Sequence, residues 1–128
     1  MRFLLDTHTF IWWDSQFERL SERAKTLCQD PENEIFLSVG SLWEIQIKVQ
    51  LGKVKLHRAL SDLVKEQQDT NNLVLLPVKA PHVFALDKLP AIHKDPFDRI
   101  LIAQAKVENF SLISNDEVIR KYPIIVEW

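Results

Sequence analysis

The chain predicts an α/β fold, a single α/β/α sandwich built on a central, mainly parallel sheet. Three observations carry this. Short β-like apolar runs alternate with longer helical stretches along the whole chain. Parallel neighbours need long crossover connections, and the helical stretches supply them. No internal repeat, low-complexity tract or Pro/Gly/Ser-rich linker divides the 128 residues, so residues 1–128 read as one domain that buries roughly two-thirds of its unfolded surface. With 46% apolar and 27% charged residues, the balance is that of a globular protein and excludes a disordered or fibrous one.

The elements follow in order. "RFLL" reads as a strand, and "TFIWWD" and "SERAKTLCQD" as helices, the second started by Ser21 as N-cap. "EIFLS" is the next strand, followed by the helix "SLWEIQIKVQLG", with Gly52 as its C-terminal stop. "RALSDLVKEQQDTN" is helical, "LVLLPV" a strand and "APHVFALDKL" helical. "DPFDRILIAQAKVENF" places Pro96 at the first helical position behind Asp95 as cap. "SLIS" is a strand, "DEVIRKY" a short helix and "PIIVEW" the last strand.

Composition excludes several function classes. The lone Cys28 cannot form an internal disulfide or a cysteine-rich metal site and reads as a buried structural thiol. Asp6 cuts the opening apolar run short of a secretory segment, and no run is long enough to span a bilayer. A cytoplasmic location without membrane attachment is expected. The net charge of -2 would not draw in a nucleic acid, so attraction to a polyanion needs a bound cation or a local basic patch. "KVQLGKVKLHR", with Lys48, Lys53, Lys55 and Arg58, is the best such patch, and a solvated helix end and loop is an equally good reading of it.

Ligands of open parallel sheets bind outside the carboxyl ends of the strands. Asp6 ends the first strand and Asp116 follows the fourth, so the two share that edge if these strands are neighbours. Glu44 lies on the helix after the second strand. Asp98 lies on the first turn of the helix before the fourth strand, which by local reasoning starts at the opposite edge unless the preceding loop carries it back. Each acid also has a structural reading. Asp6 suits a turn or cap, Glu44 stands at capping-box spacing from Ser41, Asp98 suits the helix dipole behind Asp95, and Asp116 suits the cap of "DEVIRKY". One shared site accounts for all four at once.

The ordered blocks "LLDTH", "SLWEI", "DPFDRILIAQA" and "LISND" resemble the PIN-domain ribonucleases, and more narrowly the VapC-type toxins of type II toxin-antitoxin pairs. The resemblance covers essentially the whole chain, and "DPFDRILIAQA" is its most specific part. It implies that Asp6, Glu44, Asp98 and Asp116 meet in one acidic pocket, with Thr7 and Ser114 as supporting hydroxyls. Asn115 departs from the pattern, since that place is often basic, while Asp95 is a helix cap.

Four packed carboxylates repel and need a cation or protons to compensate. Oxygen donors select hard ions, Mg2+ or Mn2+, over zinc. His8 and His93 are near enough in sequence to support such a site, though solvent-facing or hydrogen-bonded roles suit them better. The expected activity is hydrolysis of RNA phosphodiesters by metal-activated water. A haloacid-dehalogenase-type phosphotransferase would want an acid where this chain has His8, and a receiver domain would want adjacent acids and a lysine. The alternative from another class is a PIN-like binding module without nuclease activity, against which the presence of all four acids counts. Phe10, Ile11, Trp12 and Trp13 sweep about 300° of a helix and cannot all face one core. They are expected at an interface, and the resemblance implies both a homodimer and a separate antitoxin.

Overall fold

The computed structural model describes residues 1–128. Five strands form one sheet: β1 (Arg2–Leu5), β2 (Glu34–Ser38), β3 (Val74–Leu76), β4 (Ser111–Ile113) and β5 (Val126–Glu127). Their order is β3-β2-β1-β4-β5 and every pairing is parallel. Leu5 pairs with Leu37 on one side and Ile113 on the other, so the ends of β1, β2 and β4 lie level. The chain winds outward from β1 through β2 and β3, then returns to lay β4 on its other side. That reversal beside β1 makes the crevice where ligands of such sheets bind.

Six helices cover the sheet: α1 (Thr7–Ser15), α2 (Glu22–Gln29), α3 (Val39–Gln50), α4 (Leu60–Asn71), α5 (Ala80–Ala85) and α6 (Pro96–Glu108). Because successive strand residues point to opposite faces, Phe3 and Leu5 join Ile35, Leu37 and Ile113 against α1, α2 and α4. Leu4 and Leu112 meet Leu101, Ile102 and Tyr122 on the other face. Apolar side chains on both faces explain why these short strands read as unbroken apolar runs.

The helix ends follow their sequence signals. The Ser21 hydroxyl accepts the Ala24 N–H at 3.0 Å, and Asp95 accepts the Phe97 N–H at 2.8 Å behind Pro96. Gly52 stops α3 with φ +73°, where its N–H reaches the Val49 carbonyl and Lys53 N–H the Lys48 carbonyl. This is the paired bonding of a Schellman ending. Asn72 and Asn109 end α4 and α6 in the same left-handed region.

Three expectations need correction. Ser38, not Ser41, caps α3, its hydroxyl accepting the Gly40 N–H at 3.0 Å, so Glu44 lies beyond capping reach. "DEVIRKY" forms only a 3-10 turn at Ile119–Lys121, because Pro123 follows too closely for an α-helix to develop. The aromatic run on α1 turns inward: Phe10 and Trp13 are core residues, while Trp12 is half-buried against Trp128 and under Arg19. Ile11 and Asp14 are likewise half-buried, and His8 and Ser15 remain exposed on the outward side of α1. Cys28 is half-buried, and burial pushes its thiol up to about 12, which leaves it unreactive.

Candidate functional site

β1 ends at Leu5, and Asp6 becomes the N-cap of α1. Its Oδ1 accepts the Thr9 N–H at 2.7 Å, and its Oδ2 accepts the Ser114 hydroxyl. The capping reading of Asp6 is thus correct, yet it does not exhaust the group, since a carboxylate offers about four acceptor positions. Ser114 follows β4 and also accepts the Asp116 N–H at 3.0 Å, so one buried serine joins Asp6 to Asp116.

Asp116 divides its two oxygens in a similar way. Oδ1 accepts the Val118 N–H at 2.8 Å, as expected of a turn cap, while Oδ2 faces His93 Nε2 at 3.2 Å. The same Nε2 lies 3.0 Å from Asp98 Oδ2. His93 Nδ1 accepts the Asp95 N–H at 3.1 Å, which places the ring proton on Nε2. His93 therefore donates to both acids, the hydrogen-bonded role expected of it.

The position of Asp98 overturns the edge objection. A helix that feeds a parallel strand must finish at that strand's amino edge, so it begins at the carboxyl edge; α6, 13 residues long, spans about 20 Å and does so. One atom each of His93, Asp98 and Asp116 lies within 4.8 Å of the others. Tyr122 fixes the loop that carries His93, its hydroxyl accepting the His93 N–H at 2.7 Å and donating to the Pro90 carbonyl at 2.9 Å.

Glu44 approaches from α3 and is almost completely buried. Thr7 Oγ1 donates to its Oε1 at 2.7 Å and lies 3.0 Å from Ser41 Oγ. Lys48, one turn further along α3, donates to Glu44 Oε2 at 2.6 Å. Lys48 belongs by sequence to the basic stretch that begins at the end of α3, but its i+4 spacing from Glu44 is the signal of an ion pair, and the pair forms. The rest of that patch is elsewhere: Lys53 and Lys55 are exposed, and Arg58 pairs with Glu66. His8 is exposed beside Trp12, and Asn115 is exposed.

Burial and mutual repulsion dominate the electrostatics. Burial pushes the Asp6 carboxyl above its usual range, against hydrogen bonds from Ser114 and Thr9 that pull it down. Burial, and then the charges of Asp95, Glu44 and Asp6, push Asp98 up to about 7, although His93 opposes the rise. The hydrogen bond to Glu44 raises Lys48, with the fields of Glu44, Asp95 and Asp98 adding to it. Burial thus disfavours the charged forms of Asp6 and Asp98, a cost that a bound cation would offset.

A family model described as PIN domain matches residues 3–125. The chain belongs to the PIN domain family. Among curated protein sequences none matches it. Among solved structures, this PIN domain is similar to VapBC2 from Rickettsia felis, described as bound to a DNA fragment from its promoter. The identity is 18%, the TM-score 0.73, and the match covers 99% of this chain and 98% of that one. DNA-bound VapBC from Salmonella typhimurium matches at 15% identity and TM-score 0.68, over 99% and 97% of the two chains. FitAcB from Neisseria gonorrhoeae matches at 17% identity and TM-score 0.62, over 97% and 95%. At these identities the likeness is one of fold.

Beside the acids this PIN domain carries an apolar groove of about 480 Å3 between α3, α5 and α6, lined by Val39, Trp43, Val83, Leu86, Phe97 and Ile100 among others. Trp43 is 65% exposed and meets Phe97 edge-on, the ring centroids 5.3 Å apart. These two rings immediately precede Glu44 and Asp98 in the chain. No helix is long and apolar enough to cross a membrane.

Proposed function

We propose that this PIN domain is a cytoplasmic, metal-dependent endoribonuclease, the VapC-type toxin of a toxin-antitoxin pair. The observation that carries the reading is the chain of contacts linking three acids from distant sequence positions, in which Ser114 joins Asp6 to Asp116 and His93 joins Asp116 to Asp98, while Glu44 is held by Thr7, the residue after Asp6. In that reading Asp6, Glu44, Asp98 and Asp116 hold a Mg2+ or Mn2+ ion. The donor set fits: His93 offers its Nε2 proton rather than a lone pair, which leaves oxygen ligands of the kind these hard ions take. When bound, such an ion polarises the scissile phosphate, lowers the pKa of a bound water and neutralises charge at the leaving oxygen.

The chain's own groups prepare that chemistry. Ser114 and the Thr9 N–H fix the Asp6 carboxylate, and Thr7 fixes Glu44, so neither acid needs to reorganise. His93 holds an oxygen of Asp98 and one of Asp116 around a single proton. One of the four carboxylates orients the attacking water, whose oxygen bonds to phosphorus as the bond to the leaving oxygen breaks and a proton passes to that oxygen.

RNA as substrate rests on the sequence resemblance, as does the antitoxin, which the paired names of the structurally similar VapBC and FitAcB also support. A homodimer is supported by the exposed apolar groove at Trp43 and Phe97, since patches of this kind mark protein-protein contacts. The decisive experiment incubates purified protein with single-stranded RNA, and with DNA of the same sequence, in Mg2+, Mn2+ or EDTA. Cleavage of RNA in metal, lost in EDTA and in Asp6→Asn, Glu44→Gln, Asp98→Asn and Asp116→Asn, is expected. RNA binding without cleavage under every condition would identify a binding module instead.

A further inference from the structure

Lys48 places a cation at the mouth of the acid cluster. Its Nζ sits 2.6 Å from Glu44 Oε2, and one-third of its side chain is exposed while that of Glu44 is 4% exposed. The ammonium therefore stands between the buried carboxylate and solvent, in the field of Asp95 and Asp98 as well. Glu44's other oxygen is taken by Thr7, so both oxygens are engaged, one of them by an ammonium on a four-carbon stem with several rotatable bonds.

This position answers a question of charge. A chain of net charge -2 with four clustered acids repels a phosphate backbone. Asn115, beside Asp116, brings no charge to offset this. Lysine suits the task, being a compact charge on a flexible four-carbon stem.

Resting on the nuclease reading above, we propose that Lys48 is a substrate-phosphate grip that is parked on Glu44 until that carboxylate is taken by a divalent ion. In the parked state Lys48 neutralises Glu44. Once Glu44 serves as a ligand, the ammonium turns outward to a phosphate of the RNA strand. Lys48 thus competes with the ion for one oxygen and then adds one contact to the substrate.

The two consequences have separate readouts. Without RNA, Mn2+ uptake is followed by loss of the free-ion EPR signal, and Lys48→Met should bind Mn2+ several-fold more tightly than wild type because the competing ammonium is gone. A lysine with a merely structural role would leave Mn2+ affinity unchanged or weaken it. With single-stranded RNA and saturating Mn2+, log(kcat/KM) is plotted against log[KCl]. One lost phosphate contact should make the Lys48→Met slope shallower by about 0.7, with the loss in KM rather than kcat, and Lys48→Arg should restore the wild-type slope. An unchanged slope, or Mn2+ affinity not tightened in Lys48→Met, overturns the assignment while leaving an active wild type as a nuclease. A wild type that takes up no Mn2+ and cleaves nothing overturns both readings.

Discussion

The Thr7 hydroxyl donates to Glu44 Oε1 at 2.7 Å, tying the first residue of α1 to the middle of α3. The bond crosses from the β1 exit to the β2 exit, and it holds a carboxylate whose side chain is only 4% exposed. Thr7→Val keeps the shape and removes the donor. Hydrogen bonds to charged groups contribute about 1.5–3 kcal/mol, and an unpaired buried oxygen adds its desolvation cost. Destabilisation of that order is expected in urea titrations without metal, with Thr7→Ser recovering most of it. A Thr7→Val midpoint equal to wild type would show that Glu44 finds another donor.

Gly40 governs how closely α3 approaches α6. A Cβ there would stand 3.3 Å from Ile100 Cγ2 and 3.2 Å from Ser38 Oγ. Gly40→Val should cost about 1–3 kcal/mol through overpacking. It should also weaken Mn2+ binding, because moving α3 away from α6 separates Glu44 from Asp98. Loss of stability with unaltered Mn2+ affinity would mean that the two acids do not share one ion.

Much of this arrangement is legible in the sequence, for reasons particular residues show. Asp6 and Asp116 stand at strand ends that share an edge once β1 and β4 are neighbours, as they are, and the four motif blocks point to the family. The helix caps at Ser21 and Asp95 and the stop at Gly52 are local signals, and local signals survive folding. What local reasoning misplaces depends on tertiary direction. Asp98 looks remote until α6 is seen to run antiparallel to the strand it feeds. Lys48 looks like surface until the i+4 spacing is read with Glu44 as a buried partner. The His93 bridge depends on a loop held by Tyr122, 29 residues away in sequence, and no pattern announces it. The split among the α1 aromatics has a related cause: Phe10 and Trp13 enter the core, while Trp12 stays half-buried and packs on Trp128 from far along the chain.

That inward packing separates two tryptophan variants. Trp13→Glu places a charge in a core where the residue is 7% exposed, so it should lose several kcal/mol or fail to fold. Trp43→Glu alters a residue that is 65% exposed and should keep the wild-type melting temperature within a few degrees. If the apolar groove is the contact between copies, Trp43→Glu shifts the mass measured by light scattering from dimer to monomer. An unchanged dimer mass would place that contact elsewhere on the surface.

Asp98 supplies the test of the electrostatic argument. Its carboxyl lies at about 7 in the folded chain against about 3.9 when unfolded. Between these values the native state keeps a proton that the unfolded chain has released, so wild-type stability falls as pH rises from about 4 to about 7 and levels off above. Asp98→Asn removes this titration. In EDTA the variant should therefore gain on wild type across that window and be the more stable protein at pH 8. Mn2+ at a hundred times its dissociation constant should stabilise wild type by about 2.7 kcal/mol and the variant by less, so that the order narrows or reverses. Thermal melts at pH 4, 6 and 8, each in EDTA and in Mn2+, decide the matter. If Asp98→Asn is equally destabilised in all six, Asp98 acts only through the α6 dipole, and neither burial nor its acidic neighbours raise its carboxyl to about 7.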